Sequence, residues 1–516
     1  MARILLIKSG NLTTRSKGIT PPLGLMYIAS YIKQERNDEV RILDIRLYKE
    51  PLKEVYNIIH EFQPDLIGIG ALTLEAPAMY QIAHFIKQVT DAPVVAGGPH
   101  ATSVPEEVMK NKDINIVVRG EGEVTFNELL TAIEDGKRLD GIPGIGYRND
   151  DDAVIINPSR GYIDYLDKLP FPAWDLVELK KYATISSMST VGVRPYMVFL
   201  TSRGCPFHCT YCHNIFGKKF RARSVENVLE EMEILINNYD IDDFEIIDDI
   251  SNFDRERIKS IFRGIIDRGW KINLSFPNGV RTDMLDEEIL YLMRKAGTSE
   301  LSIAIETTSP RLQRLVKKNL NLEKVKQMVN IAVDSGMFVR GFFMLGFPTE
   351  TKEELRATIN FACKSRLHEA LFFLVNPFGG TELSRQIESM GKIPLNVKPE
   401  DFDYYSMPFN ASNVPDNQLH RLYMMAWIRF YFNPLRILHI LKAKDVWRDL
   451  PFRLRGVLRD LFAPKGNKKL VLEPIDFEFK RINSKAGLHV EKQLLSMNSP
   501  KQSQRNIIEL SSAKKK

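Results

Sequence analysis

The chain has 516 residues, 44% hydrophobic and 26% charged, which is the composition of a globular protein with two or three domains. The sequence begins with a short apolar strand and no apolar run reaches about 18 residues, so we expect neither a signal peptide nor a membrane span. Four cysteines without a pairing pattern fit a cytoplasmic protein, and no nucleic-acid partner is expected.

The first 150 residues alternate between short apolar strands and helices, which predicts an α/β domain with a doubly wound, Rossmann-like sheet. The predicted strands are residues 3–7, 40–43, 66–71, 94–96 and 115–118, and the predicted helices are residues 23–34, 51–61, 76–89, 104–110 and 126–133. Ligands of such sheets bind beyond the carboxyl ends of the strands, where this sequence carries Thr73, Gly97, Gly98, Gly120 and Glu121. Glycines there let the backbone approach a large ligand closely, and the alternative is a substrate or partner module without a cofactor.

Residues 151–193 are predicted to be a linker. They begin in a polar, turn-like stretch and contain prolines that stiffen the connection and prevent a helix.

The alternation of strands and helices resumes over residues 194–400, the predicted core domain. Its predicted strands are residues 196–201, 243–247, 271–276, 300–305, 338–345 and 370–375. Functional loops of barrels built from such units follow the carboxyl ends of the strands.

Cys205, Cys209 and Cys212 follow the first of these strands with the spacing C-x3-C-x2-C, and the fourth cysteine, Cys363, lies far away. Thiolates select soft metals or iron–sulfur clusters. Three thiolates leave one iron of a four-iron cluster without a protein ligand, which is typical of a catalytic centre. The alternative is a structural zinc site completed by His208 or His213.

The cysteine motif resembles that of the radical SAM family, and the order of the two domains resembles its cobalamin-binding members. Residues 21–25, 97–102 and 120–123 occupy the places of the motifs of those proteins. The resemblance implies a partial (β/α)6 barrel that binds a [4Fe–4S] cluster and S-adenosylmethionine (SAM), and an N-terminal domain that binds cobalamin. It also implies an electron from a one-electron reductant such as flavodoxin or ferredoxin.

The resemblance assigns further site residues. It implies that Cys205, Cys209 and Cys212 hold the cluster, and that Tyr211 lies by the adenine of SAM. It implies that Asp248, Asp249 and Glu306 lie near SAM at the ends of strands. Asn278 and Arg281 end the third strand region, and we expect them to reach the ligand. The segment containing Gly346 and Pro348 is expected near the adenine, and Thr73, Gly97, Gly98, Gly120 and Glu121 are expected to contact cobalamin.

One position departs from the family pattern. Many cobalamin domains have a histidine ligand to cobalt in a D-x-H-x-x-G motif after the second strand, but here Asp44 is followed by Ile45 and Arg46. Arginine stays protonated and cannot ligate cobalt. We therefore expect either cobalamin binding without a histidine ligand or a domain that has lost the cofactor.

Residues 401–495 are predicted to form a helical, basic C-terminal region, with an apolar helix at 417–432 and a second at 435–442. This region contains no cysteine, so no auxiliary cluster is expected there. Its helix is expected either to close the barrel or to contact a membrane surface peripherally. Residues 496–516 are poor in apolar residues and are expected to be disordered.

The sequence thus predicts a cobalamin-dependent radical SAM enzyme that transfers a methyl group to an unactivated carbon of a small-molecule or lipid-like substrate. One alternative is a radical SAM oxidoreductase, cyclase or rearrangement enzyme on a polycyclic or lipid-like substrate. An alternative of another class is a non-catalytic binding protein stabilised by zinc.

Overall fold

The computed structural model describes residues 1–10, 19–149, 151–182, 187–189, 195–213, 215–392, 409–443 and 481. Residues 401–408 of the predicted C-terminal region, its residues after 443 other than Arg481, and the tail predicted at 496–516 lie outside the described residues.

The N-terminal half is built on a seven-stranded sheet with the order β2-β1-β3-β4-β5-β6-β7. Its strands are β1 (Arg3–Lys8), β2 (Glu39–Asp44), β3 (Leu66–Gly70), β4 (Val94–Gly97), β5 (Ile116–Val118), β6 (Ile145–Arg148) and β7 (Val154–Ile156). The helices between them are α1 (Leu23–Glu35), α2 (Pro51–Phe62), α3 (Ala76–Val89), α4 (Gly98–Ser103), α5 (Pro105–Met109) and α6 (Gly122–Asp135). Two apolar clusters cover the two faces of the sheet, as its buried apolar strands require.

The five predicted strands pair in parallel, but the sequence analysis missed β6 and β7, which extend the sheet in antiparallel fashion. Their connection is a tight turn in which the amides of Asp151 and Ala153 donate to the side chain of Asn149. The sequence predicts that this polar turn starts the linker, whereas in the structure it closes a hairpin on the sheet.

The second sheet has six parallel strands in the order β15-β14-β13-β12-β11-β8 and forms the barrel wall. These strands are β8 (Tyr196–Phe199), β11 (Asp243–Ile246), β12 (Asn273–Val280), β13 (Thr298–Glu306), β14 (Phe338–Leu345) and β15 (Glu369–Leu374). A separate antiparallel pair consists of β9 (Ser202–Arg203) and β10 (Arg221–Ala222). The helices are α7 (Leu179–Tyr182) before the barrel, then α8 (Val225–Tyr239), α9 (Arg255–Asp267), α10 (Glu287–Lys295), α11 (Pro310–Leu315), α12 (Leu322–Asp334), α13 (Lys352–Lys364) and α14 (Glu382–Ser389).

The barrel strands alternate between two faces. Phe343 and Leu345 of β14 and Phe372 of β15 belong to the large apolar cluster that joins the sheet to its helices. Because successive strand residues point to opposite faces, Phe342 and Phe373 face the other way, into the barrel.

Helices α15 (Asp416–Tyr431) and α16 (Pro434–Lys442) follow the barrel, close to the two helices predicted there. One face of α15 packs on α13 and β15, with Phe430 fully buried. Arg436 of α16 is also buried, and it donates to main-chain oxygens of Cys363 and Ser365 at the end of α13. No helix in the described part of the chain is long and apolar enough to cross a membrane.

Candidate functional site

The three clustered cysteines lie on one loop at the carboxyl end of the first barrel strand. The loop leaves the barrel through β9 and returns through β10, so that Arg203 pairs with Arg221 at its neck. Gly204 follows Arg203 with φ of +83°, and a Cβ atom there would lie 2.3 Å from the oxygen of Lys219. The neck therefore requires a residue without a side chain at this position.

The thiols of this loop are unpaired and differ in exposure. Cys209 is buried, Cys205 is half-buried and Cys212 is exposed. The amide of Cys212 donates to the oxygen of Cys209 at 3.2 Å, and that of Cys205 to Gly217 at 3.2 Å. A hydrogen bond from Cys212 and the nearby cations Lys318 and Arg281 lower the pKa of Cys209 to about 6, against the effect of its burial. Neighbouring cations favour the thiolate, the form that binds metal.

Glu306 reaches the cysteine loop from the end of β13. The register with β14 shifts between Ala304 and Glu306, and Glu306 has a left-handed backbone with φ of +67°. Such a bulge re-aims a side chain, and a left-handed non-glycine residue at a strand end is a costly feature typical of functional sites. Burial raises the pKa of Glu306, and its carboxylate lies 3.8 Å from the ammonium of Lys318.

Tyr211 lies beside the same acid. Its ring centroid is 6.1 Å from that of Phe347, between Gly346 and Pro348 in the turn after β14. The two amides of Gly346 and Phe347 donate to the carboxyl of Glu350, which shapes this turn. Tyr211, Glu306 and the turn at 346–348 are thus brought together, as the sequence analysis expects.

Asp248 and Asp249 follow β11 and differ in their surroundings. Asp248 is fully buried and accepts hydrogen bonds from the amide and hydroxyl of Thr201 and from the hydroxyl of Ser202. Asp249 is exposed and accepts from the amide of Gly204 at 3.1 Å. Both acids therefore hold the entrance of the cysteine loop, and only Asp249 also faces solvent.

The predicted ligand edge of the N-terminal sheet contains Thr73, Gly97, Gly98 and Gly120 at the ends of three neighbouring strands. A Cβ atom at Gly98 would lie 3.0 Å from the main chain of Ala71, so the backbones of the β3 and β4 ends are in close contact. Next to them, His100 is buried and its Nδ1 has no partner in the described residues. Burial lowers the pKa of His100 to about 4, so the ring is neutral and offers a polar atom to a ligand.

Glu121 follows Gly120 at this edge, but its carboxylate contacts the cysteine loop. Its carboxylate accepts hydrogen bonds from Arg203 and Arg221 of the cysteine loop, both at 2.9 Å, and from the amide of Ile163 at 2.7 Å. The sequence analysis expected a cofactor contact at Glu121, and the structure gives its carboxylate three protein partners.

Arg46, the residue in place of the histidine ligand, is held by Asp44. Its guanidinium makes two bonds to the carboxylate, at 2.8 and 2.6 Å, and donates to the oxygen of Thr20. Tyr182 donates to the same carboxylate at 2.8 Å. This side chain is thus a fixed cation at the end of β2.

Three charged residues of the site, Lys318, Arg203 and Arg221, were not predicted from the sequence, whereas Arg281 was expected to reach the ligand and lies near Cys209. Lys318 comes from the segment after α11, and Arg281 follows β12 and stacks on Phe207 at 3.7 Å. Arg203 and Arg221 lie close to the cysteine motif, but nothing in the neighbouring sequence distinguishes them from ordinary loop arginines. Their partners come from elements distant in sequence, so no local signal identifies them.

Comparison with known proteins identifies the two halves. The model of the radical SAM superfamily matches residues 199–362, and that of the B12 binding domain matches residues 11–130. An uncharacterized methyltransferase of Pyrococcus horikoshii is 33% identical over 86% of this chain and 93% of its own length. The chain belongs to the cobalamin-binding radical SAM enzymes.

Other members of this family are similar to it. The cytidylyl-2-hydroxyethylphosphonate methyltransferase of Streptomyces wedmorensis is 31% identical over 77% of this chain and 82% of its own. The anaerobic magnesium-protoporphyrin IX monomethyl ester cyclase of Rubrivivax gelatinosus is 28% identical, covering 87% and 80%.

Solved structures share the fold. The radical SAM methyltransferase TsrM of Kitasatospora setae, with cobalamin and a [4Fe–4S] cluster bound, has a TM-score of 0.66 and 20% identity over 84% of this chain and 90% of its own. The cobalamin-dependent radical enzyme OxsB, with aqua-cobalamin and SAM bound, has a TM-score of 0.67 and 16% identity, covering 99% and 81%.

The cofactors of this cobalamin-binding radical SAM enzyme are a [4Fe–4S] cluster, SAM and cobalamin, as its two family domains indicate. Within the described residues, no three His, Cys, Asp or Glu side chains form a group that could hold a single metal ion. Because the chain belongs to a family of enzymes, the non-catalytic alternative stabilised by zinc is wrong.

Proposed function

We propose that this enzyme is a cobalamin-dependent C-methyltransferase that acts on a small molecule with an apolar part. The observation that carries the proposal is the position of three free thiols on one loop at the barrel mouth, beside Glu306. Arg203 at the neck of this loop donates to Glu121 at the ligand edge of the N-terminal domain. When bound, the reduced cluster and SAM supply a radical that abstracts hydrogen from carbon, and cobalamin supplies the methyl group.

In this proposal Cys205, Cys209 and Cys212 hold the cluster. Lys318 and Arg281 stabilise negative charge next to Cys209, and the loop is fixed by main-chain bonds from Thr210 to Val316 and from Leu383 to Thr210. A loop held on both sides keeps its thiols in place when the metal is absent.

We further propose that Tyr211, Glu306, Asp249, Gly346 and Pro348 hold SAM. Glu306 is buried next to one cation 3.8 Å away, and a buried carboxylate requires a close partner such as an ammonium or hydroxyl group. Asp248 is bonded to Thr201 and Ser202, which supports a role in orienting the loop start in addition to its predicted nearness to SAM.

Cobalamin is proposed to bind over Thr73, Gly97, Gly98 and Gly120 without a histidine ligand. The pairing of Arg46 with Asp44 supports this, because a fixed guanidinium occupies the position of the usual ligand. The unpartnered ring nitrogen of His100 supports a ligand rich in polar side groups.

The names of relatives divide between methyl transfer and ring closure. Two relatives above 30% identity are methyltransferases by name, and the cyclase named above is 28% identical. We therefore favour methyl transfer, with cyclisation of a polycyclic or lipid-like substrate as the second candidate.

The inner barrel face supports an apolar substrate. Phe342 and Met344 of β14 and Leu371 and Phe373 of β15 point inward and are only half-buried. Strand β14 lies inside the sheet and β15 forms its edge. The rings of Phe342 and Phe373 meet edge to face with centroids 5.8 Å apart. Incompletely covered aromatic side chains inside a barrel favour an apolar or planar substrate group.

Two partners are proposed besides the substrate. The cluster needs a one-electron reductant such as a flavodoxin or ferredoxin, and we propose that the enzyme is cytoplasmic. The second partner is an anionic membrane surface, contacted by α15 and α16. Phe432 is 80% exposed and Leu435 is 77% exposed, and no acidic residue occurs between residues 417 and 442. An apolar face with only basic neighbours is suited to an anionic bilayer.

The domain bounds proposed for this function are 1–150 for cobalamin, 151–193 for the linker, 194–400 for the barrel, and 401–495 and 496–516 for the C-terminal region and tail. The hairpin strand β7 lies beyond residue 150, so part of the linker contributes to the first sheet.

The test is anaerobic reconstitution with iron, sulfide and hydroxocobalamin, followed by SAM with a chemical reductant. We expect iron and cobalt in the purified protein, formation of 5′-deoxyadenosine, and transfer of label from methyl-labelled SAM to bound cobalamin. Formation of 5′-deoxyadenosine without methyl transfer to cobalamin favours the second candidate. Absence of both iron and 5′-deoxyadenosine contradicts the proposal.

A further inference from the structure

A buried ionic group connects the cobalamin domain to the neck of the cysteine loop. Arg203 of β9 and Arg221 of β10 are opposed across the neck, and each donates to Glu121 at 2.9 Å. Arg203 also donates to Glu123 at 2.7 Å. One carboxylate from the N-terminal domain thus binds both strands that close the loop.

All four side chains of this ionic group are buried, at 3 to 7% exposure. Two carboxylates balance two guanidiniums, so no net charge is left in the interior. The guanidinium of Arg203 lies between two rings, with its Cζ 4.9 Å from the centroid of Tyr27 in α1 and 5.3 Å from that of Phe216 in the cysteine loop. The two domains therefore hold one arginine by charge and by stacking.

Glu121 occupies a position between two proposed cofactor sites. It follows Gly120 directly, at the edge proposed for cobalamin, and its partner Arg203 lies two residues before Cys205. The amide of Gly120 is itself held by the hydroxyl of Thr102 at 2.9 Å. The turn is thus joined to the cysteine loop by charge-assisted hydrogen bonds, which are short and geometrically specific.

We propose that Glu121 is a positioning residue, which fixes the cysteine loop against the cobalamin domain and so sets the separation of cluster and cobalt. This inference rests on the proposed function for the identity of the two cofactors. It assigns to Glu121 a role through Arg203 and Arg221 in place of the direct cobalamin contact expected from the sequence.

The first test measures the magnetic interaction between the reduced cluster and cob(II)alamin in the full-length, loaded enzyme. Both centres are paramagnetic, so the enhancement of cobalt spin relaxation reports their separation. We expect Glu121→Gln to load both cofactors and to show a weaker and more heterogeneous enhancement. The matched control is Glu128→Gln on the same helix α6, whose partner Arg160 lies outside the cysteine loop. An enhancement in Glu121→Gln equal to that of the wild type overturns the proposal.

The second test needs no cofactor and therefore separates this proposal from the proposed function. Hydrogen exchange of the amide of Ile163, and of the peptide covering residues 203–221, is compared in the metal-free proteins. Loss of a charged hydrogen bond predicts exchange about tenfold to a hundredfold faster in Glu121→Gln and unchanged in Glu128→Gln. Unchanged exchange in Glu121→Gln overturns the positioning role, whether or not the wild type binds cobalamin.

If Glu121→Gln does not fold, the same two measurements are made on Arg221→Lys. This variant keeps the charge but loses the two guanidinium arms, of which Nη1 donates to the carboxylate of Glu121 and the carbonyl of Ile163, and Nη2 to the carbonyl of Phe216. Faster exchange of residues 203–221 at an unchanged melting temperature supports positioning, and wild-type exchange overturns it.

Discussion

Glu306 is expected to determine SAM affinity more than folding. Its carboxyl is buried beside Tyr211 and a single cation at 3.8 Å, and we propose a polar group of SAM as its further partner. Loss of a charged hydrogen bond in Glu306→Gln should weaken SAM binding about tenfold to a hundredfold. The measurement is SAM affinity beside thermal unfolding on the same reconstituted samples. The control is Glu382→Gln, which removes an exposed ion pair with Lys317 and keeps an oxygen for the side-chain amide of Gln386. Unfolding of Glu306→Gln with normal SAM binding by the folded fraction would show a structural acid.

The cysteines provide the sharpest single-residue comparison. Replacing Cys205, Cys209 or Cys212 with Ala should abolish cluster binding, because only these thiols share the loop at the barrel mouth. Cys363→Ala should keep full iron content, since that thiol lies in α13 against the apolar core. The measurement is the iron content of each variant after anaerobic reconstitution. A Cys363→Ala protein without iron would refute the assignment of the three cluster ligands.

Glu350 predicts a dependence of stability on pH. Burial raises its pKa to about 8, although two amides of the turn after β14 donate to it. A carboxyl that is protonated in the folded state contributes full stability below about pH 4.5, and this contribution is lost as the pH rises to about 8. Glu350→Gln keeps the neutral form at every pH. Its free energy of unfolding, from urea titrations of the metal-free protein, should therefore fall less than that of the wild type between pH 5 and 8, by about 1–3 kcal/mol. Parallel pH profiles would contradict this.

At the scale of elements, the neck formed by β9 and β10 depends on Gly204. A methyl group there would meet the oxygen of Lys219 at 2.3 Å and require a left-handed backbone. Gly204→Ala should therefore open the neck and lower iron content severalfold. Gly269→Ala is the control, because it has the same backbone strain at φ of +65° but faces open space. Equal iron content in the two variants would show that the neck tolerates displacement.

The strands of both sheets could be predicted from sequence because parallel strands are short, apolar runs between helices. β14 has the predicted bounds, and the others differ by a few residues at their ends. The hairpin of β6 and β7 escaped prediction because β7 contains only three residues, with one exposed face. The bulge at Glu306 is a register shift between strands, and no pattern within one strand encodes it.

At the scale of the whole molecule, α15 and α16 predict an association with anionic membranes. Apolar side chains at Phe432, Leu435 and Leu438 are exposed next to Arg429 and Lys442. The enzyme should sediment with vesicles that contain phosphatidylserine and stay in solution with neutral vesicles, and high salt should reduce the binding.

The double variant Phe432→Gln and Leu435→Gln should lose this binding. Tyr291→Gln on α10 is its control, because that side chain is 60% exposed on another part of the surface. Equal sedimentation with and without phosphatidylserine, or none at all, would contradict the membrane contact.

The cysteine ligands and the domain order could be read from the sequence because each is a local pattern. The ionic contact between the domains could not be predicted from the sequence, because Glu121 and Arg203 are 82 residues apart and each resembles an ordinary loop residue. Lys318 and Glu306 likewise come from different elements and meet only through the fold. Charge pairing across a chain of this length leaves no periodic signal, whereas hydrophobic burial does.

The left-handed backbone of Glu306 has a consequence for directed evolution. Glycine and asparagine adopt this conformation at lower cost than glutamate, and glycine also removes a buried carboxyl. A library selected only for survival of heating should therefore enrich Gly or Asn at position 306 and return heat-resistant proteins that no longer retain SAM. Selection for thermal resistance should thus favour Gly or Asn at position 306, whereas selection for turnover should retain Glu.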